Sequence, residues 1–132
     1  MTTDVVVSRP PRISPAEQAL LAALWDAPGQ SASALHAALE ADRGWSLTTV
    51  KTMLSRLADK GAVRAERDGR RFLYHPALSR EDVAGREVRG LVRRLFGGRA
   101  APLVASLADR DGLTDDDIAE LEALIARMKR ER

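Results

Sequence analysis

The sequence has no cysteine. That excludes disulfides and thiolate metal sites. Aromatic residues are scarce too, at 4% against 45% hydrophobic overall, so any core must be built from Leu, Val, Ile and Ala. No run approaches the ~20 apolar residues that a membrane span requires. The opening MTTDVVVSRPPR has three valines but no apolar stretch of signal-peptide length. A cytoplasmic chain with no membrane partner is expected. Catalytic and metal-binding sets are missing as well. The two histidines, His36 and His75, have no cysteine or paired carboxylates beside them, and a zinc site needs at least a third ligand. His36 reads as a surface or partly packed residue; His75, at a strand end, is placed for a phosphate or cap contact. Asp115-Asp116-Asp117 lacks the ligand spacing of a calcium loop, and the glycines form no phosphate cradle. Neither enzyme activity nor a cofactor is expected.

What is present is an uneven distribution of charge. The net charge is only +2. Residues 1–42 carry two Lys/Arg against five Asp/Glu, and residues 100–132 carry five against eight. Residues 43–79 carry eight Lys/Arg against three Asp/Glu, and residues 80–99 carry six against three. A concentrated basic stretch in an otherwise balanced chain points to a polyanionic partner, with a merely solvated face as the plainer alternative.

Pro10-Pro11 flanked by Arg9 and Arg12 argues for a tail over residues 1–12. Ser14, Pro15 and Glu17 make a helix start with a capping-box pattern. Leu20, Leu21, Leu24 and Trp25 then share one apolar face, and Pro28-Gly29 ends the segment. A second short helix begins at Ser31 or Ser33, with Leu35, Ala38 and Leu39 inward and EADRG following as a loop. Trp25 and Trp45 are expected to pack in the core or between helices. In the third helix Ser46 is the cap and Gly61 the left-handed C-terminal residue. Val50, Leu54 and Leu57, extended back to Leu47, form its buried stripe. Its other side carries Thr48, Thr49, Lys51, Thr52, Ser55 and Arg56, short hydroxyls and cations with little of the Glu/Lys mixture of a solvated helix.

The period then changes from helical to alternating. Val63 and Ala65 alternate with Arg64 and Glu66, Asp68-Gly69 signals a hairpin turn, and Phe72-Leu73-Tyr74 returns to Pro76. Three small helices and a hairpin over residues 13–76 are the order of a winged helix-turn-helix. In that arrangement the third helix enters the major groove and the hairpin lies against the flanking backbone or minor groove. Both touch one polyanion, so both are cationic. Hydroxyls reach base edges or the thymine methyl, and Lys and Arg reach guanine acceptors or phosphates. Arg67, Arg70 and Arg71 flank the wing turn, where backbone contact is expected. A protein-docking winged helix would instead present an acidic or apolar third helix.

Past Pro76 the chain is helical again. Ser79 with Asp82 resembles a cap; Val83, Val88, Leu91, Val92, Leu95 and Phe96 give an apolar side; Gly97-Gly98 breaks the helix. After a short apolar piece, Thr114 caps a last helix whose acidic start and basic end both complement the helix dipole. Ile118, Leu121, Ile125 and Met128 make a seam suited to packing on another helix. The expected fold is therefore mainly α with a small β-hairpin: a winged helix-turn-helix domain (13–76) followed by a helical dimerisation domain (77–132).

The segments ISPAEQALLAALW, WSLTTVKTMLSRLADKGAV, DGRRFLYHP and LTDDDIAELEALI together resemble the BlaI/MecI/CopY family of bacterial repressors, also called penicillinase repressors. The resemblance implies a homodimer on palindromic double-stranded operator DNA, released by a signal, with a signal-activated protease as one partner. It assigns DNA contact to Ser46, Thr48, Thr49, Thr52 and Arg56, with Arg67, Arg70 and Arg71 on the wing. Lys51 stands where the family often has an uncharged polar residue. Dimerisation falls to Val88, Leu91, Val92, Leu95, Ile118, Leu121, Ile125 and Met128. Two departures stand out. The copper-responsive branch uses C-terminal cysteine pairs, which are missing here. The β-lactam-responsive branch is cut near Asn-Phe, and the comparable segment here is LVASLADRD. A docking adaptor and a small-molecule-responsive repressor are the alternative functions.

Overall fold

The computed structural model describes residues 11–109 and 112–132. The expected tail, residues 1–12, lies outside the described residues apart from Pro11 and Arg12. The elements run α1 (Pro15–Asp26), α2 (Ala32–Arg43), α3 (Leu47–Asp59), β1 (Val63–Asp68), β2 (Arg71–Pro76), α4 (Arg80–Phe96), α5 (Ala100–Ala108) and α6 (Asp115–Arg130). The chain divides into two compact units, one up to Gly85 and one from Arg86.

The first unit is organised around leucine. Leu20, Leu21 and Leu24 of α1, Leu35 of α2, and Val50, Leu54 and Leu57 of α3 are fully buried. Ile13, Met53, Ala62 and Val63 complete the core. Each buried Leu or Ile contributes roughly 1.5–3 kcal/mol of transfer free energy. Met53 joins the α3 stripe between Val50 and Leu57. Ala38, expected to face inward, is exposed, whereas Leu39 is half-buried; the small side chain sits at the lip of an open groove lined by Ala19, Ala22 and Ala23 of α1.

The helix ends follow their capping chemistry. Ser14 and Glu17 make the reciprocal capping box of α1. Ser31 Oγ accepts from Ala34 N–H and starts α2. EADRG is helical, not a loop: α2 continues through Arg43, and Gly44 ends it with φ 65°. At the end of α3 the Ala62 N–H bonds Leu57 O and the Gly61 N–H bonds Ala58 O, both with Gly61 at φ 76°. This is the double bond pattern that a left-handed residue permits. It turns the chain directly into β1 and buries Ala62 against the core.

The hairpin is antiparallel, with Val63 opposite Pro76 and Asp68 opposite Arg71. The two residues between the strands are therefore Gly69-Arg70, one position later than the Asp68-Gly69 pair expected from the sequence. Asp68 is instead the last residue of β1, and Gly69 supplies the positive φ at the first turn position. A single bridge joins Gln30 to Tyr74: Gly29 N–H donates to Tyr74 O and Tyr74 N–H to Gln30 O, at 2.9 and 2.8 Å. The turn between α1 and α2 thus forms a one-residue third strand at the root of the wing. The Gln30 side chain also donates to Ala23 O and Ala27 O, closing the end of α1.

In the second unit, Gly98 N–H bonds Val92 O past the end of α4. Thr114 and Asp117 form a capping box at the start of α6. Neither α5 nor α6 contains a fully buried residue. Leu95, Ile125 and Met128 are 66%, 51% and 55% exposed.

Candidate nucleic-acid interface

Helix α3 is held at both ends, and its outer face is left open. Ser46 Oγ accepts from Thr49 N–H at 3.1 Å and donates to Thr49 Oγ1 at 3.0 Å. Its hydroxyl serves the cap and has little left for an external partner. Thr48, Thr49, Lys51, Thr52, Ser55 and Arg56 are all exposed. At about 100° per residue, Thr48, Thr52 and Ser55 lie opposite Val50 and Leu57, with Lys51 on one flank and Thr49 and Arg56 on the other. Thr52 Oγ1 donates to Thr48 O at 3.0 Å, which fixes its rotamer. Asp59 closes the same face at its C-terminal end, so the cationic and hydroxyl part is the N-terminal two and a half turns.

The opposite end of the α3 cylinder is pinned by Lys60. Its Nζ donates to Glu17 Oε1 at 2.7 Å and to Arg12 O at 2.8 Å. The Glu17 residue is buried at 3% exposure. Burial pushes its carboxyl upward, but the hydrogen bonds from Lys60 and from the Ser14 backbone and hydroxyl, with the Lys60 charge, outweigh it. The net displacement is downward from 4.5, so Glu17 is ionised and paired at neutral pH. Its Oε2 has no hydrogen-bond partner among the described residues. This pair ties the start of α1 to the end of α3, and sequence spacing contains no sign of it because the partners are 43 residues apart.

On the wing the three arginines differ. Arg67 lies over the Phe72 ring at 5.7 Å, its cross-strand partner. Arg71 is paired with Asp68 at 3.1 Å, which partly neutralises it. Arg70, at the turn, makes no ion pair or ring contact among the described residues. Arg64 is 3.9 Å from Glu66. His75 is not placed for a phosphate: its ring packs beside Gly29, and Nε2 sits 3.4 Å from Glu66 Oε1, too poorly aligned for a hydrogen bond. His36 is partly packed, 3.9 Å from Glu40.

One cation was missed by sequence reading. Arg43, the last residue of α2, stacks on the Trp45 ring at 5.5 Å, just ahead of the α3 cap. Arg43 and Trp45 are two apart in sequence, and only the turn at Gly44 brings the guanidinium onto the indole. Lys51, Arg56 and Arg70 remain as exposed cations without a partner among the described residues, and they share one domain with the open hydroxyl face. Among the described residues no group of three or more His, Cys, Asp or Glu could hold a metal, and no described helix is long and apolar enough to cross a membrane.

The family model described as "Penicillinase repressor" matches residues 13–127, spanning both units. The chain belongs to the penicillinase repressor family. Within the family, it is 28% identical over 119 residues to the penicillinase repressor of Bacillus licheniformis, covering 90% of this chain and 93% of that protein. It is 34% identical over 119 residues to the transcriptional regulator BlaI of Mycobacterium tuberculosis, covering 85% and 86%. The solution structure of the DNA-binding domain of the repressor BlaI superposes with a TM-score of 0.52 at 32% identity, covering 58% of this chain and 93% of that one. That likeness bears out the mainly helical winged-helix fold with its two-stranded hairpin.

Proposed function

We propose that this penicillinase repressor family member is a sequence-specific, double-stranded DNA-binding repressor. It occupies a palindromic operator as a homodimer and is released by a signal. The observation that carries this reading is the outer face of α3, where four hydroxyls and two cations, Lys51 and Arg56, are exposed and the cations have no partner among the described residues; the wing of the same unit adds Arg70, likewise without a partner among them. A docking adaptor has no use for such a face. In the proposed complex, Thr48, Thr49 and Thr52 read base edges and Lys51 and Arg56 reach guanine or phosphate. Ser46 acts mainly as the cap, and Arg67, Arg70 and Arg71 hold the backbone. The apolar sides of α4 and α6, with Val88, Leu91, Val92, Leu95, Ile118, Leu121, Ile125 and Met128, pack on a twin. Cleavage of the second unit by a signal-activated protease in the cytoplasm is one route of release, since a single domain covers one half-site and loses the avidity of the pair. The role is regulatory, without catalysis.

Titration of an operator selected from random duplex DNA, repeated over a range of salt, tests this. The expected result is tight, sequence-selective binding whose affinity falls steeply and log-linearly with salt. Weak binding, insensitive to sequence and salt, would leave the adaptor as the better account.

A further inference from the structure

Helix α4 begins badly by electrostatic rules. Arg80 is its first residue, and a cation there opposes the helix dipole, which favours acids at an N-terminus. Glu81 and Asp82 follow the rule, and Ser79 Oγ accepts from Asp82 N–H at 3.0 Å. The start of α4 therefore has its cap without Arg80. The Arg80 guanidinium turns back onto α1 instead. It lies 5.5 Å over the Trp25 ring and donates to Asp26 Oδ1 at 2.9 Å. Trp25 Nε1–H donates in turn to Leu78 O at 2.9 Å, and both Trp25 and Leu78 pack on the core. Three contacts, spanning more than 50 positions in sequence, thus converge on the last two residues of α1.

Stability gives little account of the Arg80–Asp26 pair. Arg80 and Asp26 side chains are 53% and 76% exposed, and an exposed ion pair adds little to a fold. A residue that breaks a local rule without a stability gain is expected where placement matters. α4 is one continuous helix, and its first turn belongs to the winged unit while its later turns belong to the second unit. We propose that Trp25, Asp26 and Arg80 form a latch that fixes the first turn of α4 on the winged domain, and that this latch couples the two half-sites of the operator. Arg80 and Asp26 are positioning residues: they touch no DNA and act by setting where the helix leaves the domain. The inference rests on the proposed dimeric repressor and adds the element that makes its half-site spacing definite.

The test uses the full chain and its Asp26→Ala and Arg80→Met variants. The probes are the duplex selected from random DNA by the intact chain, the same duplex with one half-site scrambled, and duplexes with one or two base pairs inserted between half-sites. The expected result is unchanged thermal melting and scrambled-duplex affinity within about twofold, as for residues away from the DNA face. Full-duplex affinity should drop by at least about tenfold, a fraction of the full avidity factor. The variants should also tolerate the insertions better than the intact chain does. A full-to-scrambled affinity ratio and an insertion penalty that match the intact chain overturn the latch while leaving the dimeric repressor standing. An intact chain that gains nothing from the second half-site overturns both.

Discussion

At the residue scale, the cations of the candidate interface separate by what already occupies them. Arg71 is held by Asp68 and Arg67 by a ring, so Arg70 is the wing residue with its charge least committed. Arg70→Ala is expected to weaken specific and nonspecific duplexes by similar factors, and to flatten the log–log salt slope by about 0.9 for one lost phosphate contact. A loss confined to one operator sequence would assign Arg70 to base or shape readout instead. Thr48 and Thr52 differ in a testable way. The Thr52 hydroxyl proton is directed to Thr48 O, leaving its methyl and oxygen lone pairs for an external partner, whereas Thr48 Oγ1 has no hydrogen bond among the described residues. Thr48→Ala should cost about 1–3 kcal/mol of operator affinity, and Thr52→Val should cost less than Thr52→Ala because it keeps the methyl. Equal losses for Val and Ala at position 52, measured by titration, would show that the oxygen is the contacting atom.

The helical stripe, the caps at Ser14, Ser46 and Thr114, and the wing were legible in the sequence because each is local, set by spacing of a few residues. The same locality explains the misses. EADRG reads as a loop because Asp42, Arg43 and Gly44 are loop-like by composition, yet a glycine one position past the last turn ends a helix as readily as it breaks one. Asp68-Gly69 carried the correct turn signal, but the strand pairing of Asp68 with Arg71 shifted it by one. The Gln30 bridge, the Lys60–Glu17 pair and the Trp25–Arg80 latch depend on tertiary approach, and no periodicity encodes them. Of the expected DNA face, exposure was legible; the diversion of the Ser46 hydroxyl into the cap was not.

At the scale of elements, the link between α1 and α3 is the Glu17–Lys60 pair. Because the Glu17 carboxyl is held below its ordinary value, its contribution to stability is fully present above about pH 4.5, the unperturbed carboxylate value, and is lost as pH falls through the lowered folded value. Lys60→Met leaves a buried carboxylate with fewer donors and should destabilise the first unit by roughly 1–3 kcal/mol at pH 7. The deficit should narrow on acidification below about pH 4.5, since the protonated acid no longer needs the ammonium. Denaturant midpoints of both proteins between pH 3 and 7 check this. A deficit that stays constant across the range would mean that the ammonium acts through its hydrogen bond to Arg12 O and not through the Glu17 carboxylate.

At the scale of the whole molecule, the two units differ in how they satisfy their apolar residues. The first has a closed leucine core; in the second, α5 and α6 bury nothing completely. Exposed apolar side chains such as Leu95, Ile118, Ile125 and Met128 are the surface that the proposed pairing with a second copy would cover. A chain ending at Gly98 should keep the winged fold by circular dichroism, sediment as a monomer at micromolar concentration, and lose most of an avidity gain of about 10²–10⁴-fold on the full operator. A truncated chain that still sediments as a dimer and binds the full operator as tightly as the intact one would remove α5 and α6 from the dimer and from release.

The one-residue strand at Gln30 has a bearing on time as well as on shape. The Tyr74 amide and carbonyl are both bonded to the α1–α2 turn, so the root of the wing can open only when that turn opens with it. Amide exchange at Tyr74 should therefore track loss of the helical core, whereas amides near Gly69 should exchange through local fraying. The wing is then a graded lever, slow at its base and quick at its tip. In the proposed complex, such a tip would follow a groove of varying width without disturbing the helical core.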